Sequence, residues 1–256
     1  MNVIQAIVLG IVQGITEFFP ISSSGHLAIL QHIFGMRKDM VAFDVFLHFG
    51  TLVAILIMLR KDIINMFFGD KQMLKYILIA CVPTFIIGIL FKDSIETLFA
   101  NVRLVGYALM GTGVFLLFAS LVAFRRKKAN NNRPPDMISS ILIGIAQGVA
   151  VVPGISRSGS TIGTALISGL EADAALRFSF LLAVPAILGA NLLKAGHIYG
   201  NLVSVETVPY VAGFIAAMAA GLVAIKALFG ILRKNLFFIF SIYCIAAGLA
   251  VILLIK

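Results

Sequence analysis

Apolar residues run through this chain in long blocks separated by short polar punctuation, and the block lengths predict membrane-crossing helices. Three blocks in the first half, about Val41–Leu59, Met73–Phe91 and Leu104–Phe124, each approach the ~20 residues that cross ~30 Å of hydrocarbon. Three more follow, roughly Ala174–Leu193, Thr207–Phe229 and Leu236–Ile255. Two regions depart from that pattern. Val3–Phe34 is too long for one span and is broken at Phe19-Pro20-Ile21-Ser22-Ser23-Ser24-Gly25-His26. Ile138–Leu170 is broken likewise, from Pro153 to Thr161. Each flank is about half a span. The pattern predicts a helix, a polar turn and a second short helix returning to the same side. Free backbone groups at membrane depth are tolerated only where protein or a wet cavity shields them, so each break marks a cavity.

The two breaks are copies. Shifted by 134 residues, Gly10–His26 overlays Gly144–Ser160 without gaps, with 8 of 17 positions identical (Gly10/Gly144, Ile11/Ile145, Gln13/Gln147, Gly14/Gly148, Ile21/Ile155, Ser22/Ser156, Ser24/Ser158, Gly25/Gly159). Six of these involve Gly, Gln or Ser, which a shared apolar bias does not explain. With a one-residue adjustment Ala42–Lys61 also overlays Ala175–Lys194. The chain reads as an internal duplication: a first repeat over residues 1–128, a basic linker over 129–137, and a second repeat over 138–256. Each repeat holds one hairpin plus three crossings. Three is odd, so the second copy enters the membrane upside down. The expected fold is an all-α polytopic membrane protein with an inverted-topology repeat and its site at the repeat interface near the midplane.

Composition agrees. Of 256 residues 61% are hydrophobic and 12% charged, with a mean hydropathy of +1.07. That is half the charge of an ordinary soluble domain, too little to cover a water-facing surface. The net charge of +9 does not indicate nucleic acid, because the cations lie in short runs between apolar blocks, as at Arg125-Arg126-Lys127-Lys128. Under this topology twelve cations fall on one side (Arg60, Lys61, Lys71, Lys75, Arg125, Arg126, Lys127, Lys128, Arg133, Lys226, Arg233, Lys234) and six on the other (Arg37, Lys38, Lys92, Arg103, Lys194, Lys256). The cation-rich side is expected to be cytoplasmic. Both termini and the mouth of the first hairpin then face outward. The N-terminus shows no signal-peptide pattern, and Cys81 and Cys244, both in apolar blocks, are expected to be thiols packed in the core or facing lipid.

Chemistry concentrates in the breaks. Gln13 and Glu17, four apart, share a helix face, and a carboxylate inside a membrane helix belongs on a polar interior. Pro20 ends the first half-helix, and Ser22–Ser24 offer N-caps to the next, whose N-terminus is a ready anion site. Arg157, at the position where the first copy has Ser23, adds a permanent charge that forks onto phosphate. The two loops are expected to be matched in backbone and complementary in chemistry. Ser23 and His26 supply a hydroxyl and a base; Arg157, Ser156, Ser158 and Thr161 supply charge and donors. Nucleophile, base and anion clamp at one point read as phosphoryl transfer. His32 and His48 could reach the outer site, although packing between helices is the default for such histidines, and His197 is expected to be solvated. Asp44 and Arg177, equivalent in the two copies and opposite in charge, are expected to pair. No HExxH, Walker A or CxxC pattern encodes a metal cage.

At these residues the sequence resembles the undecaprenyl-pyrophosphate phosphatase family, the bacitracin-resistance membrane phosphatases. That family's (Glu/Gln)-x-x-x-Glu motif matches Gln13 through Glu17, with Gln at the first position. Its Pro-Gly-x-Ser-Arg-Ser-x-x-Thr motif matches Pro153 through Thr161 at every specified position, and its serine- and histidine-bearing segment matches Ser22 through His26. The resemblance spans the whole chain. It implies hydrolysis of undecaprenyl pyrophosphate to the monophosphate and inorganic phosphate in a bacterial inner membrane, with the site open to the periplasm. It further implies stimulation by a divalent cation (Mg2+ or Ca2+) and a homodimer. On this reading Glu17, Ser23, His26 and Arg157 are catalytic, Glu17 also being the candidate metal ligand. Gln13, Ser22, Ser24, Gly154, Ser156, Ser158 and Thr161 bind substrate. Ser23, His26 and water all stand as candidate nucleophiles.

Inverted repeats with broken helices suit a secondary transporter or lipid flippase equally well, and architecture alone does not separate these from an enzyme. The other lipid-phosphatase superfamily fits less: Ser24-Gly25-His26 echoes its Pro-Ser-Gly-His loop, but Gly163 stands where it needs histidine.

Overall fold

The computed structural model describes residues 1–36, 40–69, 71–91, 102–128, 133–199 and 207–254. They form α1 (Val3–Thr16), α2 (Ser23–Ile33), α3 (Val41–Met58), α4 (Arg60–Phe68), α5 (Gln72–Leu90), α6 (Val102–Lys128), α7 (Met137–Val149), α8 (Arg157–Ile167), α9 (Ala172–Tyr199), α10 (Thr207–Arg233) and α11 (Phe238–Leu254). The extended pairing among the described residues is one bridge between Arg133 and Leu170. Arg37, Lys38, Lys92, Lys256 and linker residues 129–132 lie outside the described residues, as do the side chains of Lys127, Lys128, Lys194 and His197.

Among the described residues five helices are long and apolar enough to cross a membrane: Val41–Met58, Gln72–Leu90, Arg103–Arg126, Ala172–Leu192 and Thr207–Arg233. The sixth expected span is α11, whose 17 residues rise about 25 Å. Large apolar side chains recur at helical spacing on outer faces, as with Leu78, Val82, Ile86 and Ile89 on α5 and Val114, Phe118 and Leu121 on α6. Water would not tolerate such faces, whereas lipid does. The chain is therefore all-helical and of multi-pass membrane type.

Both broken regions fold as two short helices, and the helix starts keep the 134-residue register. Asn2 and Asp136 cap α1 and α7 through capping boxes with Gln5 and Ser139. α2 and α8 begin at Ser23 and Arg157, where Ser22 and Ser156 accept from the backbone N–H of Gly25 and Gly159. Three expectations need correction. Ser23–His26 and Arg157–Thr161 are helical rather than loop, because the serine caps let the helices start immediately after Ser22 and Ser156. The turns themselves are not matched in backbone: the positive φ falls on Ser22 (66°) in the first and on Gly154 (92°) in the second, while Ser156 sits at −77°. Finally, Arg60–Phe68, expected as part of a loop, is a helix of nine residues presenting Ile64, Phe67 and Phe68 outward.

Packing follows the same register. α1 lies on α10, and α7 lies on α5. These approaches need glycine: a Cβ on Gly10 would stand 2.4 Å from the Gly213 carbonyl oxygen, and one on Gly144 2.1 Å from that of Ala80. α3 packs on α9 and α10, α5 on α9, and α6 along α11. Proline interrupts α5 and α9 at Pro83 and Pro185. Cys81 and Cys244 are buried free thiols. Arg177 does not reach Asp44; it pairs with Asp62 from α4 and sits over the Phe229 ring at 5.7 Å, while Asp44 accepts from Gln31 at 2.8 Å. The added helix α4 brings Asp62 to Arg177, which the sequence alignment of the two copies could not show.

Candidate active site

The two breaks meet. Phe18, fully buried, stands edge-on to Phe180 of α9 at 5.4 Å, and Phe19 packs on Phe240 of α11 at 5.2 Å. These two rings anchor the turn on either side of the protein interior and fix the residue before them, Glu17. Ser158 Oγ donates to the Phe19 carbonyl at 3.0 Å, so the second broken region closes the backbone of the first. The contact is reciprocal. Gly25 faces Gly154, and Gly159 faces Pro20, which are the same pair of positions under the 134-residue shift. Irregular backbone at this depth is thus covered by protein.

Glu17 is the centre. It is 6% exposed, and Gln13 beside it on α1 is fully buried. Arg157 Nη2 donates to Glu17 Oε1. Ser23 Oγ donates to Oε2 at 2.5 Å, and Gln13 Nε2 donates to the same oxygen at 3.0 Å. His48 Nε2 lies 3.9 Å from Oε2, with its Nδ1 held on the Asp44 carbonyl at 2.7 Å. A buried charge is stable only when paired and hydrogen-bonded, and this carboxylate has both a cation and two neutral donors. Helix spacing explains the arrangement: Gln13 and Glu17 are one turn apart, and Ser23 and Arg157 are each the first residue of their helix.

Other sequence-predicted residues are brought near but used differently. Ser22 and Ser156 are caps, with their hydroxyls 3.4 and 3.2 Å from those of Ser24 and Ser158. Gly154 offers its carbonyl to Thr112 Oγ1 at 3.1 Å, and the same hydroxyl accepts from the Ser156 N–H at 3.2 Å. Thr161 turns inward to Ser179 at 2.5 Å and to the Arg157 carbonyl at 2.9 Å. His26 does not bond Ser23. Its Nδ1 is 2.8 Å from the Ser22 carbonyl and its Nε2 2.7 Å from the Tyr243 hydroxyl, with the two rings stacked at 5.7 Å. The hydroxyl of Ser23 therefore has a carboxylate as its hydrogen-bond acceptor, not an imidazole.

Sequence reasoning missed two of these neighbours, Thr112 and Tyr243. His48, one of the two histidines that could reach the site, does reach it, packing against Glu17. Thr112 was legible as a lone hydroxyl between Gly111 and Gly113 in an apolar span, and Tyr243 as a phenol in another, since each must find a partner away from water.

What the arrangement offers chemically is a hydroxyl on a carboxylate, a guanidinium beside it, and two helix N-termini converging on the same point. The family of the bacitracin resistance protein BacA matches residues 6–250. The undecaprenyl-diphosphatases of Halothermothrix orenii and Carboxydothermus hydrogenoformans are each 42% identical to this chain, over 99% of it and 98% of theirs. The undecaprenyl-diphosphatase of Methanobrevibacter smithii is 37% identical over 98% of this chain and 97% of its own. With a family match over nearly its full length and relatives aligned end to end, the chain belongs to the bacitracin resistance protein BacA family.

Proposed function

We propose that the protein hydrolyses undecaprenyl pyrophosphate to undecaprenyl phosphate and inorganic phosphate, with the reaction centred on Glu17. The observation that carries this is the bridge of Glu17 between Ser23, from the first broken region, and Arg157, from the second. Relatives that align over the full chain are named undecaprenyl-diphosphatase, which supports the substrate.

In this mechanism Arg157 turns its remaining N–H groups onto the pyrophosphate, joined by backbone N–H groups at the starts of α2 and α8. Ser23 Oγ attacks the terminal phosphorus as its proton passes to Glu17. The bond from that phosphorus to the bridging oxygen breaks, and undecaprenyl phosphate leaves with the bridging oxygen. Water then cleaves the phosphoserine, releasing inorganic phosphate and restoring Ser23. His26, three positions along the same face of α2, handles a proton in the second step. Ser22, Ser24, Ser156, Ser158, Gly154 and Thr161 shape the two turns that hold these groups. Their role is positioning, since each is engaged within the protein.

The site fits a divalent cation. Gln13 Oε1 is buried without a hydrogen-bond partner, next to the Glu17 carboxylate. One carboxylate, one amide oxygen and phosphate oxygens form the sparse oxygen set that Mg2+ takes. Gln13 and Glu17 would hold the ion, which when bound neutralises charge on the phosphates.

The inverted repeat belongs to the same proposal, supported by the shared 134-residue register of caps, helix starts and reciprocal glycine contacts. So do the two repeats at 1–128 and 138–256, the outward-facing site and termini in a bacterial inner membrane, and the homodimer.

Phosphate release from a polyprenyl pyrophosphate by the purified protein tests the reading. Turnover abolished by Ser23→Ala is the expected result. A protein that released no phosphate yet moved the lipid across vesicles would support a transporter or flippase instead.

A further inference from the structure

His26 is clamped at both ring nitrogens. A carbonyl oxygen can only accept, so Nδ1, 2.8 Å from the Ser22 carbonyl, carries the proton. In the neutral ring Nε2 then bears the lone pair, and the Tyr243 hydroxyl donates to it at 2.7 Å. The rings stack with only 15° between their planes, so the phenol is fixed in direction as well as distance.

Tyr243 comes from α11, 217 residues away in sequence. Its position is set by a close helix pair: a Cβ on Gly113 of α6 would stand 2.8 Å from the Ser241 carbonyl oxygen, and one on Gly248 of α11 2.6 Å from that of Gly106. The partner helix α6 also carries Thr112, which ties the Gly154 carbonyl to the Ser156 N–H at the start of α8. A single two-helix frame therefore holds α8 through Thr112 and α2 through Tyr243. Tyr243 is 44% exposed among lipid-directed neighbours, where a phenol needs a polar partner, and His26 is that partner.

We infer that Tyr243 is a positioning residue for the reaction proposed above, fixing the tautomer and aim of His26 and holding its lone pair until the O–H of a water takes the place of the phenol. It acts through His26 and adds nothing to substrate binding.

Turnover of Tyr243→Phe, which keeps the stacked ring and removes only the hydroxyl, tests this in two backgrounds. Alone, it lowers kcat about tenfold, the effect of losing one hydrogen bond to a reacting group, and leaves KM within about twofold. In the His26→Ala background the same substitution changes kcat by less than about twofold, because the group it acts on is gone. Equal losses in both backgrounds, or wild-type kcat for Tyr243→Phe, overturn the inference. Ring-15N spectra of histidine-labelled protein at pH 8 decide the matter without substrate, and do so even if His26→Ala turns over too slowly to follow. The Nε2 resonance lost on His26→Ala moves downfield in Tyr243→Phe as its donor disappears; a resonance that stays in place overturns the assignment. Because the spectra need no catalysis, a failed contact and a failed diphosphatase reading give different results.

Discussion

At the scale of residues, Glu17 and Arg157 depend on each other. Arg157→Ala leaves a buried carboxylate without its cation, which destabilises the fold by about 3–5 kcal/mol in addition to any effect on catalysis. Arg157→Lys keeps the charge but loses the planar fork, so kcat falls about 10²- to 10³-fold while unfolding temperature in detergent changes little. Recovery of more than a tenth of wild-type turnover by lysine would show that charge alone suffices. Asp136 offers a test at the membrane edge. Hydrogen bonds from the Ser139 backbone and side chain hold its carboxyl below the usual carboxylate range. A depressed folded value means stability present above the unfolded value and lost as pH falls through the folded one. Thermal unfolding of wild type therefore weakens over that acid window, and Asp136→Asn flattens this part of the profile. The residues forming this site were largely legible beforehand, because Glu17 and Arg157 are charges inside apolar blocks and physics requires them to be met. The identity of the partner for each was not. Nothing in the spacing of Ser23 and His26 reveals that Glu17 takes the hydroxyl and Tyr243 the imidazole.

At the scale of elements, length and polarity located both pairs of short helices and the five described helices long and apolar enough to cross a membrane, since a lipid environment leaves few alternatives to helix. The alignment of the copies failed where one of them has something extra. Asp44 and Arg177 occupy equivalent positions, yet Arg177 turns to Asp62 on α4, a short helix whose mixed polarity hid it among loop residues. Arg177→Asp alone and Asp62→Arg alone should each lower the unfolding temperature, and the double reversal should recover most of the loss. The pair is partly exposed, so each single effect is small, within about 1 kcal/mol apart from the like-charge repulsion it creates. A double variant no more stable than the singles would remove the pair from the account. Gly144→Leu tests the helix contacts more severely: its side chain has no room against the Ala80 backbone, so α7 must move off α5. Loss of folded protein in detergent is expected there. The half-buried Gly88, which has open space around an added Cβ, should accept leucine without loss.

At the scale of the whole molecule, the two broken regions come together so that each is covered by the other. Gly25 against Gly154 and Gly159 against Pro20 are one contact made twice. The chemistry is not duplicated: Ser23 has Arg157 as its counterpart, and Glu17 has Val151. In the proposed inverted repeat, matched contacts build the junction, and divergence within it separates hydroxyl and carboxylate on one side from cation on the other. The direct measurement is phosphate release from a polyprenyl pyrophosphate by Glu17→Gln, Arg157→Ala and the double variant. If Glu17 joins the halves into one reacting unit, each single substitution lowers kcat at least about 10²-fold and the double is little worse than either. Losses that multiply in the double variant would mean that the two residues act independently, contradicting a shared centre at Glu17.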